Sequence, residues 1–378
     1  MGGAVMMAMT VSETQLESAP RSVRTPPRLR AADWPRDALD ERLLHVDPRR
    51  RTFVDARVRD LPSLLHRGDL VVVNDAATFP GSLRGRTERG ASIEVRLLRA
   101  FDDGSWLAFL LGEGDHRTQT EHRPLPPFVR PFDVLDFTAM RAEIIEARST
   151  REIVVRFDRE GDRFWSALYA VGRPVQYAHV PRALPLWAVQ TSYASRPWAA
   201  EMPSAGRPLR WGLLSAMIDR GVVVRALTHA AGLSSIGDAA IDASLPRAER
   251  FEIPRETALA IAEARARGGR IVAVGTSVVR AIEGCASQHD GVVTSGRGET
   301  DLLLSAETRP RVVSGLFTGM HEDETTSHHA LLRAFADDDL LDRAFTHASR
   351  VGYLAHEFGD STLFLADRAK NELSSRSE

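Results

Sequence analysis

Residues 268–285 read GGRIVAVGTSVVRAIEGC, and their reading decides the fold. Upstream, Pro254 to Arg267 has helical character and stops at Gly268-Gly269, a pair suited to the left-handed position that closes a helix. The continuous apolar run Ile271 to Val274 then predicts a short strand buried on both faces. After Gly275, Thr276 or Ser277 can N-cap the next helix, which carries Val279, Arg280, Ile282 and Glu283. A strand that runs into a helix N-terminus, with an arginine one turn in, suits a carboxylate or phosphate group.

Working outward, the same grammar recurs. Gly68 to Asn74 is a second apolar strand, Leu209 to Asp219 a helix, Val222 to Leu227 a strand, and RVVSGLFT (311–318) another strand. The segment 327–348 predicts two helices broken at Asp337-Asp338-Asp339. Alternating strands and helices predict a layered α/β domain with some parallel pairing. Between about Thr78 and Asp158 the pattern changes to short strand-like runs such as SIEVRLL, SWLAFLL and REIVVRFD, with no helix between them. That stretch reads as a small antiparallel barrel or sandwich inserted into the chain. Residues 1–30 read as a disordered leader and 370–378 as a tail; 31–77 with 160–369 form the α/β domain, and 78–159 the insertion. Gly296-Arg297-Gly298 reads as a hairpin or loop.

Composition narrows the class. The 378 residues are 43% hydrophobic and 26% charged, with a formal net charge of −2, as in an ordinary globular chain. The single cysteine, Cys285, excludes an intramolecular disulfide framework and a cysteine-rich zinc site. No run is long and apolar enough for a membrane span, and the N-terminus lacks the basic start of a signal peptide, so a cytoplasmic protein away from membranes is expected; a monomer is the expectation for oligomeric state, which the sequence itself does not fix. No Gly-x-Gly-x-x-Gly opens a helix and no nucleophile elbow is present.

Several stretches, taken in order, resemble the S-adenosylmethionine:tRNA ribosyltransferase-isomerases of queuosine biosynthesis. Gly68-Asp69-Leu70-Val71-Val72-Val73-Asn74 resembles the family's G-D-L-hydrophobic-N strand, and Ile93-Glu94-Val95 its I-E-V strand. Gln190-Thr191-Ser192-Tyr193 resembles Q-T-V-Y, Pro203-Ser204-Ala205-Gly206 resembles P-T-A-G, and the 274–280 stretch resembles V-G-T-T-S-V-R. Thr318, His321, Glu324 and Thr326 fall on the frame T-N-F-H-L-P-E-S-T, and Gly359-Asp360 on the late Y-G-D. The resemblance implies an α/β domain interrupted by a β-barrel. It also implies transfer of the ribosyl part of S-adenosylmethionine to a 7-aminomethyl-7-deazaguanine base in tRNA, with isomerisation and loss of adenine and methionine. S-adenosylmethionine is then a substrate, tRNA an expected partner, and no metal is expected.

Site residues follow from the resemblance. His321, Glu324 and Glu249 are the catalytic candidates, His321 for proton transfer and Glu324 to orient it. Arg280 with the Thr276 and Ser277 amides is the candidate anchor for the methionine carboxylate; Gln190 and Tyr193 suit adenine; Ser204, Gly206, Asn74 and His229 complete the binding set. A rival metal reading notes that His321, Glu324 and His328 stand at i, i+3 and i+7, but the acidic and hydroxyl residues between them read as a loop entering a capped helix.

The pattern also departs from the family. Its N-N-T-R-V reads Asn74-Asp75-Ala76-Ala77-Thr78, Pro208 stands where a histidine is expected, and His229 comes one place early. The family's H-S-E reads Arg247-Ala248-Glu249. These losses bear on chemistry more than on fold. They leave as alternatives a small-molecule acceptor, in a transferase or lyase, or a non-catalytic nucleoside- or RNA-binding paralogue.

Overall fold

The structure is a computed structural model that describes residues 29–367 except 234–238, 243–246 and 322–326. Most of the expected leader, the tail and Glu324 therefore lie outside the described residues. Leu29 and Arg30, counted with the leader from sequence, are ordered: Leu29 is buried in the core, and Arg30-Ala31 pairs in parallel with Leu354-Ala355.

A nine-stranded mixed sheet carries the α/β part. Its order is 296–300, 249–253, 223–229, 70–74, 271–274, 315–319, 361–365, 42–47 and 52–57. The four strands from 223–229 to 315–319 are mutually parallel, so their C-terminal ends lie along one edge. Side chains alternate between two layers. Leu70, Val72, Ile271 and Ala273 face a core shared with the helices Arg255–Ala266, Thr276–Gln288 and Asp338–Val351. Val71, Val73, Val272 and Val274 face the opposite core, with Leu213, Leu214 and Met217 of the helix Trp211–Asp219. An apolar run without alternation is what a strand covered on both faces requires.

The entry to these strands is held by a buried ion pair. Asp69 and Arg270 immediately precede 70–74 and 271–274. The Asp69 carboxylate accepts from the Arg270 side chain and main chain, and from the His66 amide at 2.8 Å. Arg270 donates further to the Leu64 and Ala366 carbonyls at 3.1 and 3.0 Å.

The insertion forms a closed antiparallel barrel of six strands: 82–87, 92–100, 106–111, 134–136, 141–147 and 152–157. Closure removes exposed sheet edges. The helix Gly161–Val171 packs on it, adding Phe164, Ala167 and Leu168 to its core. Two local readings are corrected. Gly296–Thr300 is neither hairpin nor loop but a strand paired antiparallel to Glu249–Ile253; Gly298 fits because an added Cβ would lie 2.5 Å from the Phe251 ring. The helix after Gly275 is capped by that glycine, at φ 90°, not by a Thr276 or Ser277 side chain.

Glu94, the acidic residue of the I-E-V stretch, is buried in the barrel between Arg96 and Arg123 and also accepts from Ser82. Burial opposes its ionisation, but the two guanidinium groups outweigh burial and hold its pKa down to about 2.

Asp69→Ala leaves Arg270 buried without its carboxylate and should cost about 3–5 kcal/mol in chemical denaturation. The stabilisation from Glu94 is full above its ordinary pKa of 4.5 and is lost as pH falls towards about 2. Glu94→Gln should therefore flatten the acid limb of the stability-versus-pH curve across that window, besides lowering stability at neutral pH.

Candidate active site

The parallel strands deliver Asn74, His229, Gly275 and Gly319 to one edge of the sheet, where sites of open α/β sheets form. Asn74 is buried and works as a main-chain clamp. Its amide nitrogen donates to the His229 carbonyl, and its oxygen accepts from the amides of His229 and Ala76, each at 3.0 Å. Its amide nitrogen also lies 3.5 Å from the Ser277 hydroxyl.

That clamp sets His229 in a fully buried position with its Nε2 3.4 Å from a Glu249 carboxylate oxygen. Neither ring nitrogen makes a hydrogen bond within the described residues. Burial pushes the His229 pKa down to about 4, against the pull of Glu249 and with the help of Arg280. The imidazole is thus neutral at physiological pH, with a lone pair on one nitrogen.

Glu249 joins the site from the neighbouring antiparallel strand. One carboxylate oxygen accepts from the Gly232 amide at 2.9 Å, and the other meets Arg280 and His229. Arg280 is buried and spends all three nitrogens inside the protein: on Glu249, on the Leu302 carbonyl at 3.1 Å and on the Arg247 carbonyl at 3.4 Å. Beside Glu249 lies a cavity of about 290 Å³ between the two parts of the chain. Ala230, Gly232 and Glu249 line it from the sheet, and Leu98, Phe101 and Leu107 from the barrel. Arg247 crosses the same junction with two contacts to Glu152, at 2.8 and 2.6 Å.

A second group of expected residues lies along the 190–206 segment. The Gln190 side chain is consumed by Thr78, donating to its carbonyl at 2.7 Å and accepting from its amide at 3.0 Å. Tyr193 donates to the Gly206 carbonyl at 3.3 Å, and burial, with the charge of Asp75, pushes its pKa well up. Gly206, in the 3-10 turn Ser204–Gly206, is required by this approach: an added Cβ would lie 2.1 Å from the Tyr193 oxygen. Ala205 in turn lies against Gly275, which ties the turn to the helix N-terminus. The amides of Thr276 and Ser277, in the first turn of that helix, have no intrahelical acceptor, as in any α-helix.

His321 follows the fourth parallel strand. Its ring lies 4.0 Å from that of His328 and 6.3 Å from that of His356, centroid to centroid. Burial lowers its pKa to about 4, with His356 adding and Glu357 opposing. Glu324, its expected partner, is outside the described residues. Asp75, from sequence only a departure from the family pattern, was not among the expected site residues. It accepts from Thr228 at 2.6 Å and Ser195 at 2.8 Å, joining the 223–229 strand to the 190–206 segment.

A family model described as "Queuosine biosynthesis protein" matches residues 24–364. The chain belongs to this family. An S-adenosylmethionine:tRNA ribosyltransferase-isomerase of Thermus thermophilus is 33% identical over 82% of the chain and 88% of its own length. Enzymes of the same name from Acidiphilium cryptum and Gluconacetobacter diazotrophicus are 32% and 36% identical, each over 89% of the chain and over 96% and 93% of their own lengths. No helix among the described residues is long and apolar enough to cross a membrane.

The tight approach of Tyr193 to Gly206 is testable. Gly206→Ala should cost about 1–3 kcal/mol through overpacking. Adding Tyr193→Phe, which deletes the clashing oxygen, should restore part of that loss in a double-mutant cycle by thermal denaturation.

Proposed function

We propose that this protein transfers and isomerises the ribosyl group of S-adenosylmethionine onto a 7-aminomethyl-7-deazaguanine base in tRNA. The observation that carries the reading is the buried His229–Glu249–Arg280 constellation beside a cavity at the sheet's C-terminal edge, in a chain of this family. The sulfonium acidifies the neighbouring C5′ hydrogen, so the main demand on the protein is a positioned base in a site shielded from water. What supports Glu249 in that role is its carboxylate, held by the Gly232 amide and by Arg280, with the neutral His229 ring beside it as a second proton acceptor. Arg280, with every nitrogen engaged internally, acts through Glu249 as a positioning residue, which leaves the Thr276 and Ser277 amides at the helix N-terminus to meet the methionine carboxylate. The turn Ser204–Gly206, held by Tyr193, meets that N-terminus through the contact of Ala205 with Gly275. His321, at the end of the adjacent strand, is the acid or base for the departing groups. Arg99, Arg148 and Arg250 around the cavity supply positive charge for a tRNA phosphate backbone.

The test is to incubate the protein with S-adenosylmethionine, with and without tRNA bearing the deazaguanine base, and follow adenine and methionine by mass spectrometry. Release is expected only with the tRNA. Release without it would point to another acceptor or to lyase chemistry; binding without release would mark a non-catalytic paralogue. Glu249→Gln and His321→Ala should each slow turnover by roughly 10²–10⁴ while S-adenosylmethionine still binds. Arg280→Lys should lower kcat and stability together, because it disturbs Glu249 and not the ligand directly.

A further inference from the structure

Outside the constellation around Glu249, the fold gathers a second group of metal-competent side chains from distant parts of the chain. His179 comes from the loop that follows Arg173, and His356 and Glu357 from the turn between Leu354–Ala355 and Ser361–Leu365. All three are partly buried, and one ligand atom from each lies within 4.8 Å of the others. His179 Nε2 is 2.9 Å from a Glu357 carboxylate oxygen, and the His179 and His356 rings stack with centroids 4.5 Å apart.

We infer that His179, His356 and Glu357 bind a divalent transition-metal cation of the zinc class. Two imidazole nitrogens and one carboxylate oxygen form the three-ligand set of zinc sites that keep a fourth position open. Imidazole favours zinc and its first-row neighbours over magnesium or calcium, which prefer all-oxygen shells.

The surroundings hold the ligands in place. The Tyr177 ring lies parallel to that of His179, with centroids 6.4 Å apart and an interplanar angle of 7°, and its hydroxyl donates to Glu201. The Glu357 carbonyl accepts from Arg207 at 3.3 Å. His356 has φ 70°, a left-handed conformation uncommon outside glycine and asparagine, and it is fixed there by two hydrogen bonds: its amide donates to the Met320 carbonyl at 2.9 Å, and its carbonyl accepts from the Gly359 amide at 2.8 Å. Met320 precedes His321, so the cation would fasten the loop at 179 and the turn at 356 beside the edge of the active site. From sequence no metal is expected and the metal-like spacing falls along 321–328, since residues 177 positions apart carry no joint spacing signal.

The test uses the full chain, stripped with a chelator and titrated with Zn²⁺ alone by calorimetry, with metal content measured after gel filtration and Co²⁺ absorption as a geometric readout. One equivalent should be retained, with a rise in melting temperature. His179→Gln, His356→Asn and Glu357→Gln should each weaken binding by at least about tenfold to a hundredfold. His347→Gln, at a surface histidine paired with Asp55, should leave it unchanged. Asparagine is chosen at 356 because it tolerates the left-handed backbone, and circular dichroism checks the fold of each variant. Failure of the parent protein to retain zinc overturns the inference even if a variant misfolds. Equal binding by all three variants, or loss only on changing His321, overturns it too. The readout needs neither S-adenosylmethionine nor tRNA, so it stands or falls apart from the catalytic proposal.

Discussion

The buried pair between Asp69 and Arg270 is the constraint on which the working edge of the sheet depends. It lies at the N-terminal ends of two adjacent parallel strands and fixes where each begins. With Leu70 opposite Ile271 and Val72 opposite Ala273, Asn74 and Gly275 emerge together at the other end. A slip of one residue would turn the alternating side chains into the wrong layers and separate Asn74 from Ser277. The pair is itself satisfied by main-chain groups on both sides, which a buried charge pair needs if it is not to destabilise the fold.

From that register the site assembles in steps. Asn74 uses its amide to hold the main chain of His229, and His229 is carried into a fully buried position beside Glu249. Glu249 belongs to an antiparallel strand, so it reaches the site from the side, and Arg280 reaches it from the helix that follows Gly275. Among the motif residues, Asn74, Gln190 and Arg280 spend their side chains on contacts within the protein, while Glu249, His229, His321 and the helix N-terminus are the groups of the proposed site. The departures from the family pattern are read differently in this light. His229, one place early in the sequence, still occupies the end of its strand, and Asp75, in the place of an asparagine, ties two segments of the site together.

The sequence was a good guide wherever the physics is local. An apolar run between glycines gives a strand with both faces covered; paired glycines close a helix because Gly268 can take φ 64°; a cluster of aspartates starts one, with Asp337 accepting from the Leu340 amide at 3.1 Å. The helix-poor composition of 78–159 reflected a barrel in which four of the six strand pairs join strands consecutive in sequence. Local reading misplaced Gly296–Thr300, whose glycines serve close packing against Phe251 and not a turn, and it assigned the cap of the helix after Gly275 to a hydroxyl where the backbone geometry of glycine suffices.

By itself, then, the sequence determined the alternation of layers, the inserted β-rich segment and the family to which the motif residues belong, because these rest on periodicity, turn chemistry and motif order along the chain. Only the tertiary structure decided how those residues are used. Whether Arg280 faces a ligand or Glu249, whether Gln190 is free or held by Thr78, and whether His179 meets His356 and Glu357 are questions of contacts across tens to hundreds of positions. Such contacts are set by strand order and register, and a hydrogen bond or ion pair between distant residues leaves no spacing in the sequence from which it could be read.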